Sequence, residues 1–158
     1  MDEKIIWSIG FVVFVIVLCI VKPKIGRVFL GIFYLIMAIG INIVNAFTDP
    51  QPTVQMGEAS LLALYRILFS DVVSKAPVFF ILMVALFQIS MGLLILSNHR
   101  RVKIGLTGAT IFLILITPFG TVQLPWLGIA VIQLYLLRFD FEKTFLEILG
   151  SAFRKSKN

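Results

Sequence analysis

The chain has 158 residues, of which 59% are hydrophobic and 14% charged, with a formal net charge of +6. That balance leaves room for four or five membrane spans of about 20 residues each and excludes a water-soluble catalytic domain. A chain solvated mainly by lipid is also not expected to take a nucleic-acid partner.

In chain order, Ile5 to Val21 is an uncharged run broken only by Ser8 and Gly10, and Lys22-Pro23-Lys24 closes it. A cleaved signal peptide is the rival reading of this segment. The acidic Asp2 and Glu3 and the want of a small-residue cleavage site favour a retained helix. Val28 to Phe47 reads as the second span, ended by Thr48-Asp49-Pro50-Gln51-Pro52. From Glu58 to Ser74, Leu61, Leu64, Tyr65, Leu68 and Val72 recur at helical spacing. This predicts one amphipathic helix on the outer face, serving as an interfacial connector or as a lid over an outward-opening cavity.

Pro77 to Ser97 forms the third span, with proline in the first turn, where its missing N–H costs nothing. The basic stretch Asn98 to Lys103 follows. Residues 104–139 are uncharged apart from Arg138, and Pro118, Gly120 and Pro125 divide them into spans over 102–118 and 122–138. The tail, 140–153, places Phe141, Phe145, Ile148, Leu149 and Phe153 on one face and ends in basic residues. It is expected to lie on an anionic inner leaflet or to dock a partner protein.

The expected fold class is therefore all-α: a polytopic membrane helix bundle of five transmembrane helices. Loop charge sets its orientation. With five spans, Lys4, Arg66 and Lys75 fall on one side and the other eleven basic residues on the opposite side. Lys and Arg collect in the cytoplasm, so the N-terminus is expected outside and the C-terminus inside, in the cell (inner) membrane.

Chemistry must come from the few polar groups at membrane depth. None of the carboxylates or basic residues falls within an expected apolar core, and His99 belongs to a loop. Proton relays and intramembrane hydrolases hold ionisable groups inside the bilayer, so neither catalytic residues nor a metal site is expected. One cysteine, Cys19, and one histidine supply no dithiol, haem or metal ligand set, and no cofactor is expected. What remains is neutral. Gln88, Thr110 and Gln133 lie near the middle of their spans, and Asn42 and Asn45 toward the outer end of the second. Such amides either hydrogen-bond between helices or line a pocket for a quinone or lipid headgroup. Gly105 and Ala109, with Gly31, Ala38, Gly40, Gly92 and Gly108, mark close helix packing.

Arg27-Val28-Phe29-Leu30-Gly31 followed by Gly40, and Gln88-Ile89-Ser90-Met91-Gly92-Leu93-Leu94-Ile95-Leu96 followed by Arg100-Arg101, resemble the first two helices of the DoxX-like membrane proteins. The resemblance covers residues 25–138. It implies a four-helix core to which the first helix and the segment 48–76 are additions. Members of that family are small membrane proteins, some associated with quinone-linked or redox complexes. Where the family commonly has a Glu four residues before the glycine, this chain has Gln88, which removes a titratable group. Two functions are expected on these grounds. One is a non-enzymatic DoxX-like subunit that scaffolds a membrane complex. The alternative is a quinone- or lipid-binding redox subunit, or a transporter of a small neutral or lipidic solute, using Gln88, Gln133, Asn42 and Asn45.

Overall fold

The computed structural model describes residues 3–155, with side chains described through Ser151. Among these residues there are helices and turns but no strands. The helices are α1 (Glu3–Val21), α2 (Pro23–Thr48), α3 (Gln51–Glu58), α4 (Ala63–Asp71), α5 (Pro77–Leu96), α6 (His99–Ile116), α7 (Leu127–Leu136) and α8 (Phe145–Lys155). Four of them, α1, α2, α5 and α6, are long and apolar enough to cross a bilayer. The apolar stretch containing α7, Leu124–Leu136, is shorter.

The side-chain pattern of α5 shows how the bundle assigns its faces. Ile81, Ala85, Gln88, Gly92 and Ile95 are buried at alternating steps of four and three, whereas Phe79, Leu86 and Leu93 are exposed on another line. In lipid an exposed leucine carries no penalty, so close packing must decide which faces meet. Glycines provide it. A β-carbon on Gly92 would fall 2.9 Å from the Gly31 carbonyl oxygen, and one on Gly105 would fall 2.8 Å from the Ile95 nitrogen. Backbones of α2, α5 and α6 thus approach at distances that no larger residue permits.

The first turn differs from expectation. Pro23 occupies the start of α2, so only Lys22 separates α1 from α2, and the second helix begins five residues before Val28. The hairpin closes because Gly26 lies against Cys19, where a β-carbon would meet Sγ at 2.6 Å. Lys24 and Arg27 consequently sit on the helix. Arg27, expected in the loop before the second span, is instead on the helix and fully buried. Further along α2, the segment Met37–Ile43 winds as a π-helix before regular winding resumes at Val44.

The single amphipathic helix expected over 58–74 is shorter, running as α4 over Ala63–Asp71, and a separate helix, α3, precedes it over Gln51–Glu58, the two parted by a break at residues 59–62. The break has a partner. Pro118, just past α6, offers a carbonyl that the helix itself leaves unpaired. It accepts from the Ser60 hydroxyl at 2.7 Å and the Leu61 N–H at 2.8 Å. Gly57 then lets the Phe69 ring lie directly on α3.

The tail also differs, since residues 139–144 are not helical and α8 begins at Phe145. Thr144 and Glu147 form a reciprocal cap: the Thr144 N–H donates to Glu147 Oε2 at 2.7 Å, and the Glu147 N–H donates to Thr144 Oγ1 at 3.3 Å. Phe153 and the basic run from Arg154 lie outside the described side chains.

Contacts distinguish the two ends of the bundle. At one end the Ser8 hydroxyl donates to the Val122 carbonyl at 2.8 Å and accepts from the Trp126 indole at 3.0 Å, tying α1 to the chain leading into α7. At the other end the His99 N–H donates to the Phe141 carbonyl at 2.8 Å, holding the tail against the start of α6.

Candidate functional site

The polar side chains within the bundle fall into two sets. Tyr34, Thr110 and Gln133 form a closed network in the core. The Gln133 amide N–H donates to the Tyr34 hydroxyl at 2.9 Å, and its carbonyl accepts from the Thr110 hydroxyl at 3.1 Å. Thr110 also faces the Leu106 carbonyl at 2.8 Å, and Tyr34 donates to the Ala109 carbonyl at 3.4 Å. Gln133 is 0% exposed. These groups answer one another across α2, α6 and α7 and do not line the large cavity of the bundle.

Gln88 and Asn42 do line it. The Asn42 amide donates to Gln88 Oε1 at 2.6 Å, bridging α2 and α5. Each amide has one donor group and one acceptor group, so this single bond leaves the Gln88 NH₂ and the Asn42 carbonyl oxygen without partners among the described residues. Exchanging the O and N assignments on both side chains leaves the same count, one donor and one acceptor. Asn45, three residues further along α2, is half-buried, makes no side-chain hydrogen bond among the described residues, and does not reach the cavity.

The cavity has a volume of about 510 Å³. Its walls come from α5 and α6, with Ile81, Val84, Phe87, Phe112 and Ile116 among them. The α3–α4 pair covers it through Met56, Tyr65, Leu68 and Phe69. Among the described residues, no carboxylate, lysine, arginine, histidine or cysteine lines it. Gln88 lies eleven residues into α5 from Pro77, about 16 Å along the axis from the covered end. The amide pair therefore stands well inside a mainly apolar space, whose other polar lining residues are Thr53, Tyr65 and Gln123.

Specific contacts hold the cover down. The Tyr65 hydroxyl donates to the Leu115 carbonyl at 2.9 Å, another acceptor freed where α6 ends. The rings of Tyr65 and Phe69 both meet Phe119 edge-on, at centroid distances of 5.4 Å and 5.2 Å. Gln123 reaches Met56 Sδ at 3.4 Å, closing the cover against the turn before α7.

Sequence reasoning missed Tyr34, because a tyrosine in an apolar run reads as one more aromatic filler. It also missed Trp126 and Ser8, whose pairing spans 118 positions. Among the described residues no three His, Cys, Asp or Glu side chains cluster as metal ligands would. Comparison with protein-family models, with curated proteins and with solved structures gave no match.

Proposed function

We propose that this protein is a non-enzymatic membrane protein that binds a lipid-soluble molecule with a neutral oxygen-bearing headgroup, a quinone being the leading class. The observation that carries this reading is the free donor and free acceptor of the Gln88–Asn42 pair inside an apolar cavity of about 510 Å³. Small-molecule pockets are mainly apolar, span roughly 300–1,000 Å³, and orient their ligands by a few polar groups. A quinone carbonyl accepts from the Gln88 NH₂, and a ring hydroxyl of the reduced form donates to the Asn42 carbonyl. Because the pair does not titrate, it discriminates by hydrogen bonding and shape rather than by charge. A bundle that only scaffolds a partner needs no such void.

In the same reading the chain crosses the membrane five times, with α7 and its flanking turns as the last crossing. Support comes from Trp126 meeting Ser8 at one end and Phe141 meeting His99 at the other. The cytoplasmic face is the Arg27–His99 end, which gathers most of the basic residues, and the α3–α4 cover lies outside. The DoxX-like resemblance then falls on α2, α5, α6 and α7 as the core.

Trp126 lines the cavity, so its fluorescence reads occupancy. Trp7 is 73% exposed, and Trp7→Phe leaves a single reporter. A long-chain quinone titrated into this variant in lipid nanodiscs should quench Trp126 saturably. Gln88→Leu should weaken that titration by about tenfold, the worth of one hydrogen bond to a buried group, and Val84→Phe should reduce it by filling the space. Linear, non-saturable quenching that is equal in all three proteins would refute the reading.

A further inference from the structure

The opposite end of the bundle carries a second site of different chemistry. The Arg27 guanidinium is 0% exposed, yet its hydrogen bonds go to neutral acceptors, the Ser97 carbonyl at 2.8 Å and the Lys143 carbonyl at 2.9 Å. Its remaining face lies 4.9 Å from the centroid of the Phe141 ring. Nε finds no acceptor among the described residues, and no described carboxylate lies within ion-pair distance of the side chain. A buried cation is stable when a counter-charge meets it, and carbonyl dipoles and a ring face supply only part of that.

Arg27 lines a pocket of about 190 Å³ together with Lys24, Lys143 and Ile148 of α8. Asp140 and Glu142 also line it, but both are exposed, and Asp140 stands 3.6 Å from the His99 imidazole. Three cationic side chains against two carboxylates leave the lining net positive, and the buried member is the cation. Guanidinium with flanking ammonium groups is the donor set that suits phosphate oxygens.

We propose that this pocket binds a phosphate anion, with the buried Arg27 guanidinium as the uncompensated positive charge beneath it and the exposed Lys24 and Lys143 as the clamp that touches it. An acidic phospholipid headgroup and free phosphate share this chemistry. The amphipathic α8, which supplies Ile148, lies where a headgroup layer meets the bundle end in the five-crossing reading.

The test uses the full chain in neutral detergent. Thermal midpoints are followed against phosphatidylglycerol, phosphatidylcholine and inorganic phosphate, and retained lipid is identified by native mass spectrometry. Phosphatidylglycerol is expected to raise the midpoint saturably and phosphatidylcholine to leave it unchanged. Competition by inorganic phosphate at millimolar concentration assigns the site to the free anion as well; its absence assigns it to the lipid. Because Arg27→Gln risks misfolding, the deciding variant is K24Q/K143Q, both positions being exposed. It should raise the half-saturating concentration by roughly fivefold per lysine. The charge-matched control R100Q/R101Q, outside the pocket, should have no such effect. Equal responses of the two double variants, or no saturable response to either phosphate source, would overturn the proposal.

Discussion

Replacing Gln133 by leucine separates the two polar sets by consequence. Leucine fills similar volume, so the loss is one of hydrogen bonds: one to the Tyr34 hydroxyl at 2.9 Å and one from Thr110 at 3.1 Å. Interhelical bonds in membrane proteins average about 0.6 kcal/mol and reach about 1.7 kcal/mol. Two of them give about 1.2 kcal/mol as a lower figure and about 3.4 kcal/mol as a ceiling. The lower part of that range is expected, because Thr110 keeps the Leu106 carbonyl and Tyr34 keeps the Ala109 carbonyl as acceptors. No donor is left stranded. Equilibrium unfolding in mixed dodecyl maltoside and SDS micelles, followed by tryptophan fluorescence, measures the change. A double-mutant cycle with Tyr34→Phe isolates the bond between the two residues, with an expected coupling of about 0.6–1.7 kcal/mol. Coupling below about 0.3 kcal/mol, the level at which independent sites add, would refute the assignment of Gln133 to a helix-tying network. Quinone quenching in Gln133→Leu should match that of the parent.

The remaining predictions concern packing, the cover and the tail. Gly92→Val places branched carbon 2.9 Å from the Gly31 carbonyl and should destabilise the bundle by about 1–3 kcal/mol in the same unfolding assay, the range for overpacking. Gly10→Ala, with nothing within 4 Å of the new carbon, should be neutral or gain about 0.5–1 kcal/mol from helix propensity. Tyr65→Phe removes the bond to Leu115 and should raise amide hydrogen exchange across 51–76 by about 2- to 10-fold, with quinone association accelerated, while exchange in α5 stays fixed. The Thr144 backbone N–H, helped by its hydroxyl, holds the Glu147 carboxyl below its ordinary value. A depressed carboxylate pKa stabilises the cap above the ordinary carboxylate range and loses that effect as pH falls through the lowered value. Amides of 145–151 should therefore lose protection on acidification, and Glu147→Gln should show a flat response.

Hydropathy made the long helices legible because a bilayer demands about 20 apolar residues per crossing, whatever the fold. Polar pairing was less legible. Gln88, Gln133, Thr110 and Asn42 stood out as amides and hydroxyls at depth, but which of them meet depends on helix rotation, which small residues and neighbours fix. The winding of α2 at Met37–Ile43 has no signature in Met-Ala-Ile-Gly-Ile-Asn-Ile, and it separates the environments of Asn42 and Asn45. Arg27 was misplaced because a charge near a proline reads as loop. The rule applied to Pro77, that proline suits a first helical turn, holds for Pro23 too and would have put Arg27 on the helix. Likewise Thr144-x-x-Glu147 marks the true start of the tail helix. The division at 59–62 was hidden, since its cause, the Pro118 carbonyl, lies 58 positions away from Ser60.

The wide turn in α2 has a consequence for how this chain tolerates change. A π-type segment accommodates surplus backbone that regular winding would not, so it sets the angular register of everything beyond it. Excising Gly40 would let α2 relax to regular winding, and the residues beyond would keep roughly their present facing, because the wide turn had absorbed the surplus residue. Adding one more residue, with no second wide turn to absorb it, would instead rotate everything beyond by about 100° and swing Asn42 off Gln88 although its chemistry had not changed. The stretch from Met37 to Ile43 acts as a phase-setting joint, tolerant of apolar exchanges and intolerant of a further insertion.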